Sequence, residues 1–218
     1  MTMIIESDDL PFDSIQFLEK KKHVEIWGHK MPHWFQIHKT MFVTFRLADS
    51  LPHHIIEEYL ADRAMMREES KILGNKPRKY YDEMMEHKME SWLNNGHGSC
   101  ILGNENVRQI VVGALRHYNY REYLLHSFIV MPNHLHILLS PLTDKPINNI
   151  IGRIKGFTSF KIKKLLGIDS EIWQQGMFDR IVRSDDEFKK YVDYIINNQK
   201  NILPDRYTLY MQKELMEG

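Results

Sequence analysis

Two histidines one residue apart, His134 and His136, sit in the segment Met131-Pro132-Asn133-His134-Leu135-His136-Ile137-Leu138-Leu139. On a β-strand the side chains at i and i+2 point to the same face, so both imidazoles project together while Leu135 and Ile137 point the other way. Adjacent imidazoles resist double protonation, and neutral imidazole is a common ligand for divalent metals. The pair therefore reads as two legs of a metal site. The chain has 12 histidines, enough for this spacing to arise by chance. Two buried core histidines, each hydrogen-bonded, would look the same.

A second group lies downstream in Tyr191-Val192-Asp193-Tyr194-Ile195-Ile196-Asn197-Asn198. Residues four apart stack on one helical face, so Tyr194 shares a face with Asn198, and Tyr191 with Ile195. If the first of these faces meets the histidine strand, Asn198 can supply a third metal ligand and Tyr194 can address whatever the metal holds. A phenol is a weak nucleophile near its free pKa of about 10 and needs activation. A nearby cation and a phosphate polarised by it would supply that. Tyrosine on an amphipathic helix also serves as plain core packing.

The elements that must position these groups follow from periodicity. Thr40–Leu47, rich in β-branched and aromatic residues, reads as a strand. Pro52 opens a helix with Ile55, Ile56, Tyr59, Leu60 and Ala64 at spacings of three and four, Gly74–Pro77 breaks it, and a second helix runs from Arg78 to Leu93. Asn104 caps a third helix carrying Val107, Ile110, Val111, Ala114, Leu115 and Tyr118. Strands Leu124–Met131 and His134–Ser140 follow, then a helix from Pro146 to Leu166, an extended piece from Trp173 to Val182 and a last helix from Asp185 to Asn201. Strands this close in sequence pair antiparallel, which gives an α+β fold of two layers with the helices mainly on one face. Residues 1–38 read as an N-terminal extension that docks through Trp27, Trp34 and Phe35, with Asp8, Asp9 and Pro11 breaking its periodicity. Residues 39–203 read as one catalytic domain with a helical insertion at about 52–93, and 204–218 as a C-terminal tail.

Composition bounds the possibilities. The 218 residues are 43% hydrophobic and 27% charged, the balance of a globular chain with a core. Twenty-nine basic residues match 29 acidic ones, which excludes nucleic-acid coating by bulk charge and leaves room for a local basic face. The lone Cys100 excludes an intramolecular disulfide and suits a reducing compartment, the cytoplasm. No apolar run is long enough to span a bilayer, and the start lacks a signal-peptide core, so no membrane partner is expected. His53, His54, His117 and His126 read as surface or structural, Cys100 as a small packed residue, and the 13 methionines as core filler.

Taken together these blocks resemble a known family. MPNHLHILL is similar to the His-hydrophobic-His motif of the single-tyrosine HUH transposases, and WQQGMFDRIVRSDDEFKKYVDYIINN resembles the corresponding region of their REP-associated branch. FVTFRLADSLP resembles that branch's first strand and turn, and GHGSCILGNENV its glycine-rich turn into a helix. The blocks occur in the family's order from about residue 38 to 202. The resemblance implies an antiparallel RRM-like (ferredoxin-like) sheet. It also implies cleavage and rejoining of single-stranded DNA, usually beside a hairpin such as a repeated palindrome, through a 5′-phosphotyrosine and a free 3′-OH. By position it makes His134 and His136 ligands of Mg²⁺ or Mn²⁺, Tyr194 the nucleophile and Asn198 the residue completing the metal site. Relatives act as monomers or homodimers. An open site of two imidazoles and an amide leaves positions for phosphate oxygens, as the chemistry requires. One departure is that Gln199 follows Asn198 where the family commonly has proline, so the helix is expected to run on through Lys200.

DNA requires cations. Residues 151–168 hold Arg153, Lys155, Lys161, Lys163 and Lys164 and no acid, with Phe157 and Phe160 interleaved. Lysines there would neutralise phosphates and the rings could stack on bases, or the rings are core and the charges a solvated face. Arg180, Arg183 and Arg46 are further phosphate candidates. Two other activities share these residues: a hairpin-DNA-binding protein with vestigial catalysis, and a metal-dependent phosphodiesterase that uses water.

Overall fold

A computed structural model of the chain describes residues 2–6, 15–27, 33–73 and 76–215. The strands are β1 (Thr2–Glu6), β2 (Glu25–Trp27), β3 (His33–Phe35), β4 (Met41–Arg46), β5 (Tyr123–Val130), β6 (His134–Pro141), β7 (Phe178–Ile181) and β8 (Thr208–Gln212). The helices are α1 (His53–Leu73), α2 (Lys76–Asn94), α3 (Glu105–Tyr118), α4 (Ile147–Leu166) and α5 (Asp185–Asn197). Local chemistry sets the helix ends. Asn104 accepts hydrogen bonds from the backbone N–H groups of Asn106 and Val107 and so starts α3. Ser184 accepts from the Glu187 N–H, and Asp185, Asp186 and Glu187 place negative charge in the first turn of α5. Gly167, at φ 66°, closes α4 in the left-handed conformation that glycine adopts without a Cβ penalty.

Six strands form one sheet in the order β1-β8-β5-β6-β4-β7, antiparallel except for the parallel β1–β8 pair, and β2 and β3 make a separate hairpin. In the β4–β6 register His134 lies opposite Arg46, His136 opposite Thr44 and Leu138 opposite Phe42. These residues share one face of the sheet, while Leu135, Ile137, Leu139, Met41, Val43 and Phe45 share the other. Helices α3 and α4 bury Val107, Val111, Leu115, Ile150, Ile151 and Ile154 against the second face. Helix α5 buries Phe188, Val192 and Ile195 against the first, with Phe42, Ile129, Leu138 and Leu209. Both faces are therefore covered, and every residue of β5 and β6 is buried. Each large aliphatic side chain removed from water in this way contributes roughly 1.5–3 kcal/mol.

The expected α+β architecture is present, with α3 and α4 on one face and α5 on the face that carries the histidines. Three readings are corrected. The supposed tail contains β8, an interior strand paired with both β1 and β5. Thr208–Gln212 is buried throughout, so it shows no polar–apolar alternation to mark it as a strand. The N-terminal extension supplies β1 and the β2–β3 hairpin and docks through the buried Phe35, while Trp34 is exposed. Asp8, Asp9, Pro11 and Gly74 lie outside the described residues, as does the side chain of Trp27. Finally, α5 ends at Asn197 and continues as a 3-10 turn over Asn198–Asn201.

The insertion is a helical hairpin of α1 and α2. Lys88 bridges Glu58 and Asp62 across the two helices, and Leu51, Ile55 and Leu93 form a small cluster of their own. Among the described residues, no helix is long and apolar enough to cross a membrane.

Candidate active site

The two histidines project from β6 into a fully buried position, 0% and 1% exposed. Each ring is held at Nδ1 by an oxygen: His134 Nδ1 lies 2.7 Å from Asn133 Oδ1, and His136 Nδ1 lies 2.6 Å from Thr44 Oγ1. Outer hydrogen bonds of this kind fix ring orientation around a metal. For His134 they also fix the tautomer. Asn133 Nδ2 donates to the carbonyls of Leu93 (3.0 Å) and His97 (3.3 Å), so the other end of its amide is an oxygen, which only accepts. The proton of a neutral His134 therefore sits on Nδ1, and its Nε2 presents a lone pair. That buried Nε2 has no hydrogen-bond partner among the described residues.

Both Nε2 atoms face a carboxylate absent from the sequence expectations. Glu90, near the end of α2, brings Oε1 to 3.3 Å from His136 Nε2 and 3.7 Å from His134 Nε2. The ligand atoms of Glu90, His134 and His136 all lie within 4.8 Å of one another. Asn94 Nδ2 donates to the same carboxylate oxygen at 3.3 Å. Burial pushes His134 below its ordinary pKa, outweighing the pull of Glu90 in the other direction. Burial alone would raise the Glu90 carboxyl, but the neighbouring His136 and His134 outweigh it and hold Glu90 below the usual carboxylate range. A carboxylate facing the lone pair of a neutral imidazole calls for a cation between them, and an N,N,O donor set suits a divalent ion. The residues thus fit a metal.

Helix α5 brings Tyr194 to this centre. Its ring meets that of His136 edge-on, with centroids 5.1 Å apart and planes at 71°. Phe42 completes the cluster, stacked on His136 at 5.4 Å and edge-on to Tyr194 at 5.7 Å. Tyr191 instead stacks flat on Phe42 at 4.3 Å. Asn198, expected as the third ligand, stands just past α5, and its Nδ2 donates back to the Tyr194 carbonyl at 3.0 Å.

The cations expected to bind DNA separate into two groups. Arg46 lies opposite His134 and Arg180 opposite Phe42, which puts both on the histidine face. Arg46 Nη1 donates to Ser50 Oγ at 2.9 Å and Arg180 sits over the Phe178 ring. Arg183 is exposed just before α5. Arg153, Lys155 and Lys161 belong to α4, which packs on the opposite face. Arg153 pairs with Glu122 at 2.8 Å. Lys155 is pushed down to about 8 by burial, and its Nζ donates to the carbonyls of Gln174 and Gly176, both at 2.6 Å. Exposed Lys161 lies over the Phe157 ring, and Phe157 and Phe160 are themselves exposed rather than core.

Sequence reasoning missed Glu90, Thr44 and the role of Asn133. The available signal for Glu90 was an acid set among Met89, Trp92 and Leu93, the residues with which α2 seats itself.

Comparison with known proteins adds three findings. A family model described as "Transposase IS200 like" matches residues 102–198. A solved structure, "Structure of the REP associates tyrosine transposase bound to a REP hairpin", is similar at 14% identity and a TM-score of 0.44, over 79% of this chain and 73% of that one. No curated protein matches.

Proposed function

We propose that this chain, whose residues 102–198 match the family model described as "Transposase IS200 like", cuts and rejoins single-stranded DNA, beside a hairpin, with Tyr194 as nucleophile. The observation that carries this reading is the edge contact of Tyr194 with His136, 5.1 Å between ring centroids within one chain. A monomer then carries the whole site.

In this reaction the Tyr194 phenol oxygen attacks a backbone phosphorus, the P–O3′ bond breaks, and the departing 3′ oxygen takes up a proton as the phenol loses one. The phosphate stays on Tyr194 as a 5′-phosphotyrosine, and a 3′-OH can later reverse the step. A bound Mg²⁺ or Mn²⁺ would neutralise charge on the phosphate oxygens. His134 and His136 would hold it, with Asn198 the further ligand that the family resemblance suggests. Asn133 and Thr44 would keep both rings aimed. Phe42 would fix Tyr194 against His136, and Arg46 and Arg180 would line the strand's path on the same face. The α4 cations lie on the other face, so they take no part in holding the scissile phosphate.

The test is a denaturing gel of full-length protein with Mn²⁺ and hairpin oligonucleotides bearing single-stranded flanks. A 3′-end label should shift with the protein while a 5′-end label should not. Tyr194→Phe should abolish the shifted band and Tyr191→Phe should keep it. A band that survives Tyr194→Phe, or cleavage without any protein-linked product, would refute the nucleophile and favour hydrolysis by water. Hairpin binding without cleavage under Mg²⁺ or Mn²⁺ would favour a binding protein with vestigial catalysis.

A further inference from the structure

The cation site assigned by the family resemblance draws its third ligand from the helix of the tyrosine, yet the structure presents another donor. We propose that Glu90, delivered by the α1–α2 hairpin, is the third protein ligand, which makes the inserted hairpin part of the catalytic centre. The inference rests on the reading that His134 and His136 hold a divalent ion.

Three observations carry it. The first is distance. Two donors bound to one ion at about 2.0–2.2 Å, roughly at right angles or tetrahedrally disposed, lie about 3.0–3.5 Å apart. Glu90 Oε1 stands 3.3 Å from His136 Nε2 and 3.7 Å from His134 Nε2, close to that spacing with a small inward adjustment left to make. The second is the buried Nε2 of His134, aimed at Glu90 and without a hydrogen-bond partner among the described residues. The third is the way the carboxylate is held. Asn133 donates to Leu93 O and His97 O, the segment directly after Glu90, and the same amide grips His134. One side chain thus fixes the relative position of two ligands that lie on separate elements.

Asn198 is differently placed, its amide turned back to the Tyr194 carbonyl. A carboxylate in place of an amide adds a negative charge to the site. It should strengthen binding of a divalent ion and tie metal occupancy to the seating of α2.

The experiment measures Mn²⁺ binding to the full-length protein without DNA, following the free-ion electron paramagnetic resonance signal. Wild type should bind one ion per chain, and His134→Ala should lose it. Glu90→Gln, which keeps size and loses charge, should weaken binding by at least about ten-fold, the loss that follows even from removing outer partners of metal ligands. Glu90→Asp should recover part of the affinity, and Glu57→Gln, an exposed carboxylate on the same hairpin, should match wild type. Thermal melts verify that each variant is folded. Unchanged affinity in Glu90→Gln, or a larger loss in Asn198→Ala than in Glu90→Gln, overturns the assignment while leaving the histidine site standing. A wild type that binds no ion overturns both.

Discussion

Asn133 and His134 are neighbours in the chain and partners in space: Oδ1 of the first lies 2.7 Å from Nδ1 of the second. Because the other end of the amide is spent on Leu93 O and His97 O, the contact has one polarity only. A ring that would otherwise choose between two tautomers is thereby assigned one, with its free nitrogen turned to Glu90.

Replacing Asn133 should therefore damage metal binding without touching a ligand. Asn133→Ala is expected to weaken Mn²⁺ affinity by about 10–100-fold, the range for outer partners of metal-bound histidines. Thr44→Val should act in the same direction through His136. Mn²⁺ titration of folded variants checks both, and wild-type affinity in Asn133→Ala would show that the ring is held by packing alone.

DNA affinity should depend on which face a cation occupies. Arg46 lies on the histidine face, and Arg153 is already paired with Glu122 on the other side of the sheet. Arg46→Gln should lower affinity for single-stranded DNA and reduce the slope of log K against log salt by about 1, the signature of one lost phosphate contact. Arg153→Gln should leave the slope within error. Fluorescence anisotropy across a salt series reads both.

Stability should fall on mild acidification because of His126. This side chain sits in a bulge of β5 between Leu125 and Ser127, bonded to Ser140 Oγ at 2.7 Å and edge-on to Phe188. Burial pushes it down to about 4, against a weaker upward pull from Gln212. Between about 4 and the ordinary value of about 6.5 the unfolded chain binds a proton that the folded chain refuses, so stability rises with pH there. The contribution is complete above the ordinary value and is lost as pH falls toward 4, a change of about 3 kcal/mol. Urea melts at about pH 7 and pH 4.5 should show the loss in wild type and a shallower one in His126→Gln.

Much of this was legible in sequence where the signal was local. The His134–His136 spacing lies within one strand, and the Asn104 and Ser184 caps act within one turn of their own helices. The pairing of His136 with Tyr194 required only that α5 and β6 meet, which the apolar positions Phe188, Val192 and Ile195 dictate. Glu90 was hidden for the opposite reason. It lies 44 positions before His134 on a different element, and nothing in its own neighbourhood separates a ligand from the other acids of the hairpin. The basic run of α4 lies across the sheet from the histidines, which sequence could not foretell because charge composition carries no information about which side of a sheet a helix will cover. Its apolar partners Ile150, Ile151 and Ile154 decide that, and they point away from the histidines.

The position of β8 has a consequence for biosynthesis. Ser127–Val130 of β5 pairs with β6 along one edge and with Met211–Thr208 along the other, so that second edge stays open until β8 has been synthesised. A truncated product ending before Thr208 would display a raw, apolar β5 border able to recruit strands from other chains. Quality control of such fragments would then turn on residues 208–212, far in sequence from the histidines of β6.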